Sequence, residues 1–289
     1  RQILKSNPKS LILIENCEYN LYSIENELKS INKDTNIISI LGSCTNRDLV
    51  KKIFTTYQID ITFHAAAYKH VPLVEANPLE AIRNNIISTL TICSIADEFN
   101  RQKVVLISTD KAVRPTSIMG ATKRLSELIV QYYSKKSFKN NSFEFKNCFT
   151  MVRFGNVLGS SGSVVPLFKK QIEKGGPITI THPEMIRYFM TIPEASQLVL
   201  QASQLAIGGE VFILEMGEQV KLMNLAKEMI RLSGYTLKNE ENPNGDIEIE
   251  IIGSRPGEKL YEELLIDGNC ESTKHPRINK AKESYIDSN

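Results

Sequence analysis

Short apolar runs alternate along the chain with longer stretches whose apolar residues recur every three or four positions. "LILIE" (11–15), "NIISILG" (36–42), "DITFHAAA" (60–67), "KVVLIST" (103–109) and "CFTMVRFGNVL" (148–158) read as strands. Their nearly continuous apolar character marks strands covered on both faces, as in a parallel sheet. Between them the pattern predicts helices over 18–31, 47–57, 78–100 and 117–136. Strand–helix alternation of this kind builds βαβ units.

After residue 158 the rhythm loosens. "GSSGSVVPLFKKQIEKGG" reads as a loop feeding a helix, "PITITHP" as a short strand closed by proline, and helices are expected over 193–205 and 221–233. "NEENPNGD" is a loop, and "IEIEIIG" alternates as a strand does. The expected architecture is α/β. A doubly wound, parallel, Rossmann-like sheet takes residues 1–158, and a smaller C-terminal substrate-binding lobe takes mainly 159–289, interleaved with the first. A chain of 289 residues accommodates both.

Composition removes several classes. A formal charge of +2 argues against bulk nucleic-acid binding. The five cysteines are scattered, odd in number and without a CxxC pair, which fits a reducing compartment and excludes a disulfide framework or a zinc site. The four histidines are too dispersed for any metal, and His64, within a strand, and His182, before a proline, read as structural. No run approaches the roughly 18 apolar residues of a membrane span, so membrane contact is expected only through a segment upstream of Arg1.

Ligands of doubly wound sheets bind outside the carboxyl ends of the strands. Glu15 ends "LILIE"; an acid there can hold the ribose hydroxyls of NAD, and it can equally be an ordinary surface carboxylate. The strand and glycine-rich turn that should precede it are missing, and "RQILKSNPKS" reads as a helix tail entering a turn. The chain is therefore expected to be a fragment, with both lying before Arg1. "GNVLGSSGSVVP" follows a strand and opens a helix, so its amides suit a substrate phosphate. The densest signal is "STDKAVRPTSIMGATKR". Thr109, Asp110 and Lys111 leave a buried strand together, and Met119 and Lys123, four apart, share one helix face. Met119 alone reads as a core residue. The constellation as a whole reads as an active site with methionine where such sites keep a tyrosine.

"HAAAYKHVPLVEANP", "STDKAVRPTSIMGATKR", "RFGNVLGSSGSVVPLF", "MIRYFMTIPEA" and "RPGEKLYEELL" resemble the bacterial nucleotide-sugar 4,6-dehydratases of capsule, O-antigen and glycan biosynthesis, in the extended short-chain dehydrogenase/reductase superfamily. The resemblance runs from Arg1 to about Lys282. The methionine form of the motif is similar to the larger members that act on UDP-N-acetylglucosamine, which often carry membrane helices ahead of the catalytic part. One departure is Gly42-Ser43, where the family usually has Gly-Asp against the adenine.

The resemblance implies a cytoplasmic, NAD-dependent, redox-neutral conversion of a UDP-N-acetylhexosamine to a 4-keto-6-deoxy sugar. Hydride leaves C4, the C5 proton is removed, the C6 hydroxyl departs as water, and hydride returns at C6. It assigns Asp110 as the acid at C6, Lys111 as the C5 base and Lys123 to the nicotinamide ribose. Met119 cannot take the C4 hydroxyl proton, so Thr109, Asp110 or a water must relay it. An amine base must be neutral, and burial with the Lys123 cation is expected to bring Lys111 well below the usual value of about 10.4. Glu15, Ala65, Ala66, Ala67, Asn85 and Lys123 are carried over to the cofactor. Lys69 and His70 go near the sugar, and Asn156, Val164, Arg187, Arg255 and Glu258 to the UDP group. The expected partners are the UDP-sugar and further copies of the chain. Two rivals remain. A 4-epimerase needs the tyrosine but no acid-base pair at C5 and C6, and a module that binds nucleotide sugars without turnover needs neither.

Overall fold

The computed structural model describes residues 1–99, 102–139, 147–266 and 268–283. Its main sheet has six strands in the order Cys270–Ser272, Ile278–Ala281, Val211–Leu214, Cys148–Arg153, Lys103–Ile107, Ile61–His64. The last four are parallel, and the first two add antiparallel at one edge. Side chains alternate between two apolar layers. Val104 and Leu106 join Phe149, Met151 and Ile213 against Ile92, Ile95 and Val130. Val105 joins Val152, Phe212 and Leu214 against Leu198, Val199 and Ala202 on the opposite face. Helices Ser88–Glu98 and Ile118–Lys139 thus cover one face and helix Ile192–Leu205 the other. This is the doubly wound arrangement, and each aliphatic side chain so buried contributes about 1.5–3 kcal/mol.

Two expected elements turn out differently. The helix over 78–100 is interrupted: Pro78–Ala81 leads into a π-helical stretch, Ile82–Ile87, before α-helix resumes at Ser88–Glu98, and residue 100 lies outside the described residues. The strand over 148–158 is two. Cys148–Arg153 stays in the main sheet, while Asn156–Leu158 leaves it for a second sheet with Ile186–Thr191 and Gln219–Lys221. Gly155 sits at the break. A Cβ there would lie 3.2 Å from Asp110 Oδ2 and 3.3 Å from Tyr188 Cβ, so a glycine lets the chain pass between them without displacing either.

The smaller lobe is built on a third sheet of Leu237–Lys238, Ile247–Ile251 and Ile178–Ile180, all parallel. Helices Val164–Glu173 and Leu222–Leu232 pack on it through Phe168, Ile172, Ala226 and Ile230. The main sheet takes strands from both sides of residue 158, so the two lobes share the chain.

One pair of strands stands apart. Among the described residues, Ser10–Glu15 pairs with Asn36–Leu41 alone, and Ile61–His64 with Lys103–Ile107 alone. Between these two free edges lies a cleft of about 1940 Å³, lined by residues 8–15 and 56–66 and by one face of helix Ile192–Leu205. Every residue of Ser10–Glu15 is only half-buried, although the run is apolar enough for a strand covered on both faces. The cleft's edges present unpaired peptide groups, a template for a further strand.

Candidate active site

Strand Lys103–Ile107 delivers its last residues to the crevice in extended form. Ser108 N donates to Val152 O at 2.8 Å, and Asp110 N to Phe154 O at 3.2 Å, so the chain stays laced to its neighbour as far as Asp110, beyond the strand end at Ile107. A single 3-10 turn, Asp110–Ala112, then reverses it, capped by the Thr109 hydroxyl. Asp110 is buried, and its Oδ1 accepts from Thr109 Oγ1 at 2.8 Å and from Lys111 Nζ at 2.9 Å. Lys111 Nζ also donates to Asn156 Oδ1 at 3.3 Å and faces Glu262 Oε1 at 3.6 Å.

This geometry corrects the expected state of Lys111. Burial, the largest single influence, does push the amine down, but the Asp110 and Glu262 carboxylates together outweigh it and hold the pKa above the ordinary value. Arg187 adds a smaller downward push, and Lys123 is not among the causes. The free site keeps Lys111 as an ammonium.

Helix Ile118–Lys139 begins beside this cluster. Ser117 caps it, with Gly120 N donating to Ser117 Oγ at 3.1 Å, and Ile118 N donates to Glu75 Oε1 at 2.6 Å. A Cβ on Gly120 would stand 2.3 Å from the Lys111 carbonyl, so only glycine lets the helix come this close. Met119 is 3% exposed and packs with Val74 and Ala81, flanked by Val71 and Ile118. Its surroundings are those of the plain core reading. One turn on, Lys123 Nζ donates to Ile107 O at 2.6 Å, and burial lowers its pKa to about 8 against an opposing pull from Glu127. The ammonium has donors left over for a ligand hydroxyl. His64 is buried within 3.1 Å of Thr89 Oγ1 and 3.3 Å of Ser88 Oγ; burial, then the Lys123 charge, lower its pKa to about 3.

Toward the cofactor side, Glu15 ends its strand and accepts from the backbone amides of Asn16 and Cys17. Ala65, Ala66 and Ala67 follow strand Ile61–His64, and the first two line the cleft. Asn85, aimed by the π-helical stretch, is buried. Its amide group clamps Tyr68 through the backbone N–H and C=O and donates to Thr122 Oγ1 at 2.9 Å. It fixes the turn that carries the alanines rather than opening to solvent.

The residues assigned to the UDP group divide. Asn156 belongs to the Lys111 cluster. Arg187 is buried, and its guanidinium donates to the carbonyls of Ile186, Lys259 and Leu260, so it anchors the loop after Arg255. Glu258 accepts from Thr181 Oγ1 at 3.0 Å and from Arg255 N at 3.1 Å, while the Arg255 side chain is exposed. Val164 is the first residue of helix Val164–Glu173. The His70 ring lies against Gly162, and partial burial lowers the Lys69 amine. Among the described residues, no hydrogen bond joins Lys69, His70 or Val164 to the Lys111 cluster.

Sequence reasoning passed over two members of this site. Glu262 stands against Lys111 with only 4% of its side chain exposed. Glu127 lies behind the strand end, accepting from Ser108 Oγ at 2.6 Å and from Arg153 Nε at 2.7 Å. Its spacing of four from Lys123 was readable as the same helix face. Nothing in "KLYEELL" distinguishes Glu262 from Glu263.

A family model described as "Polysaccharide biosynthesis protein" matches residues 1–283. The chain is 52% identical over 266 residues to the capsular polysaccharide biosynthesis protein CapD of Staphylococcus aureus. It is 49% identical over 266 residues to the probable polysaccharide biosynthesis protein EpsC of Bacillus subtilis. Each match covers 92% of this chain and 42% of the relative, so the chain spans less than half the length of these proteins. Among solved structures, Pen from Bacillus thuringiensis superposes with a TM-score of 0.83 at 35% identity, covering 96% of this chain and 83% of that one.

Lys123 gives the site a stability signature. Its folded pKa of about 8 lies below the ordinary 10.5, so between these values the unfolded chain binds more protons and stability rises with pH. Below pH 8 the full cost of the buried charge, roughly 3 kcal/mol, is present. Chemical denaturation of Lys123→Met beside the parent should therefore show the variant gaining most at pH 7, with the difference narrowing by about 1–3 kcal/mol by pH 10. A difference that stays constant with pH would contradict the buried-ammonium assignment.

Proposed function

Because the chain belongs to the polysaccharide biosynthesis protein family, we propose that it is the catalytic part of an NAD-dependent 4,6-dehydratase acting on a UDP-N-acetylhexosamine, UDP-N-acetylglucosamine first among them. The observation that carries this reading is the pair of buried Asp110 and half-buried Lys111, 2.9 Å apart at the carboxyl end of an interior strand, with an apolar core residue, Met119, at the tyrosine position. Loss of water from a sugar needs an acid at the leaving hydroxyl and a base at the neighbouring carbon. A 4-epimerase needs neither and relies on the phenol. The proposed setting is the cytoplasmic face of a membrane, with the enzyme as a homo-oligomer.

The residues present fit the dinucleotide. Glu15 stands at a strand end where a carboxylate suits ribose hydroxyls, Ala65 and Ala66 leave the cleft wall unfilled, and Lys123 has spare donors at the end of strand Lys103–Ile107. NAD, when bound, supplies a reversible hydride acceptor. The chain's own groups move protons. The Thr109 hydroxyl, which donates to Asp110, relays the C4 hydroxyl proton to that carboxylate. Asp110 then gives it to the departing C6 hydroxyl. Lys111 takes the C5 proton and later returns it. For the UDP group, Arg255 offers an exposed guanidinium fork suited to diphosphate, and Arg187 holds its loop in place.

The two facing strand edges support a further proposal: a parallel apolar strand with a glycine-rich turn completes the sheet between them and brings pyrophosphate-binding amides. A chain carrying that segment upstream should melt higher and bind NAD more tightly in titration. Equal melting and equal affinity would count against it.

Asp110→Asn and Lys111→Met should each lower turnover by about 10²–10⁴ and leave UDP binding nearly unchanged. The assay is NMR of UDP-N-acetylglucosamine mixtures, where the 6-deoxy product carries a new methyl signal. Near-normal turnover in Lys111→Met would remove it as the base.

A further inference from the structure

The Asp110 and Glu262 carboxyls flank Lys111 in opposite circumstances. Asp110 Oδ1 accepts two hydrogen bonds, from Thr109 and Lys111. Glu262 is as deeply buried, yet its Oε2 has no hydrogen-bond partner among the described residues, and its Oε1 reaches only 3.6 Å from Lys111 Nζ and 4.0 Å from Arg187 Nη2. A buried carboxylate without hydrogen bonds is costly, and taking up a proton relieves that cost. Of the two carboxyls, Glu262 is the one whose surroundings favour the protonated form.

We propose that Glu262 is the positioning residue that takes the proton of Lys111, so that the two share one proton and the amine becomes free to act as a base. In the step, an N–H bond of the Lys111 ammonium breaks and an O–H bond forms at Glu262 Oε1. An ammonium and a carboxylate become an amine and a carboxylic acid, with no change in net charge and no oxidation. This inference rests on the dehydratase reading, and it removes that reading's main difficulty, an intended base that the free site holds as a cation.

The groups facing Glu262 favour proton uptake, while the carboxylates facing Lys111 set how much of the amine is free at any moment. Lys111 meets Asp110 and Glu262, with Arg187 opposing protonation. Glu262 meets Lys111, Asp110, Arg187 and Lys259. Burial, the largest influence on Glu262, raises its pKa, the nearby Asp110 charge raises it further, and the three cations pull it down without restoring the ordinary value. Asp110 Oδ1 keeps its hydrogen bonds from Thr109 and Lys111, which places it on the path of the C4 hydroxyl proton. The loop around Glu262 is rigidly held: Arg187 binds the carbonyls of Lys259 and Leu260, and Lys259 Nζ donates to Val113 O at 2.8 Å. Glu262 is thus pinned to the turn that carries Lys111.

The test compares the protein with its Glu262→Gln and Glu262→Met variants by two readouts. The first is the pH dependence of Lys111 acylation by a small reagent, read by mass spectrometry against the exposed Lys227. An internal proton acceptor keeps a constant fraction of the amine neutral, so the parent's Lys111 reactivity should be nearly flat between pH 6.5 and pH 9, approximately. Without Glu262 the proton must leave to solvent, and reactivity should rise about tenfold per pH unit until the amine is titrated. The second readout is turnover of UDP-N-acetylglucosamine. kcat should fall at least about tenfold at pH 7 in the variants and recover with rising pH, with KM changed by less than about twofold. Lys111 reactivity that rises in parallel in parent and variants overturns the proposal, as does a parallel kcat profile. If the acylation contrast appears and no 6-deoxy product forms even with the parent, the shared proton stands and the dehydratase reading fails.

Discussion

The site depends on one half-buried cation held between two buried carboxyls. Lys111 comes from the turn after strand Lys103–Ile107 of the main sheet, Asn156 from the second sheet, and Glu262 from the loop after Arg255. The two lobes therefore meet at a charge cluster, and charges in such a place are tolerated only when partners are fixed. The fixing is visible on every side. Gly155 clears a path past Asp110, Gly120 lets the helix touch the Lys111 carbonyl, and Arg187 and Lys259 tie the Glu262 loop to the crevice. A slack connection in any of these would let water in and change which group carries the proton.

Behind the cluster a second buried network stiffens the strand end. Arg153 is fully buried and pairs with Glu127 and Glu283, and Glu127 also receives the Ser108 hydroxyl and lies one turn beyond Lys123. The same carboxylate that braces the strand moderates the loss of charge on Lys123. The bracing of the strand and the charge on Lys123 are coupled here through one side chain.

Much of this was readable from the chain. The apolar runs located the parallel strands because burial on both faces leaves few polar positions, and Val104, Val105 and Leu106 are indeed all buried. "LILIE" and "NIISILG" were readable as strands, and the structure pairs them with each other in parallel. The π-helical stretch and the break at Gly155 were not readable, since both are imposed by neighbours: Asn85 must reach Tyr68 and Thr122, and Gly155 must pass Asp110 and Tyr188. The protonation of Lys111 was misjudged for the same reason. Burial could be inferred from its position after a strand, and the larger opposing influence, Asp110, is its neighbour in the chain; the second, Glu262, lies 151 residues away by numbering, and no local pattern marks it. Met119 read alone as core, and the structure seats it among Val74 and Ala81.

The central claim is that this site moves a proton at sugar C5. The most direct measurement is the reaction of UDP-N-acetylglucosamine in deuterated water, followed by NMR of the product's ring and methyl hydrogens. A base that exchanges with solvent returns a deuteron, so the account predicts a 4-keto-6-deoxy product with deuterium at C5. A product epimerised at C4, with its C5 hydrogen retained and its C6 hydroxyl intact, would contradict it.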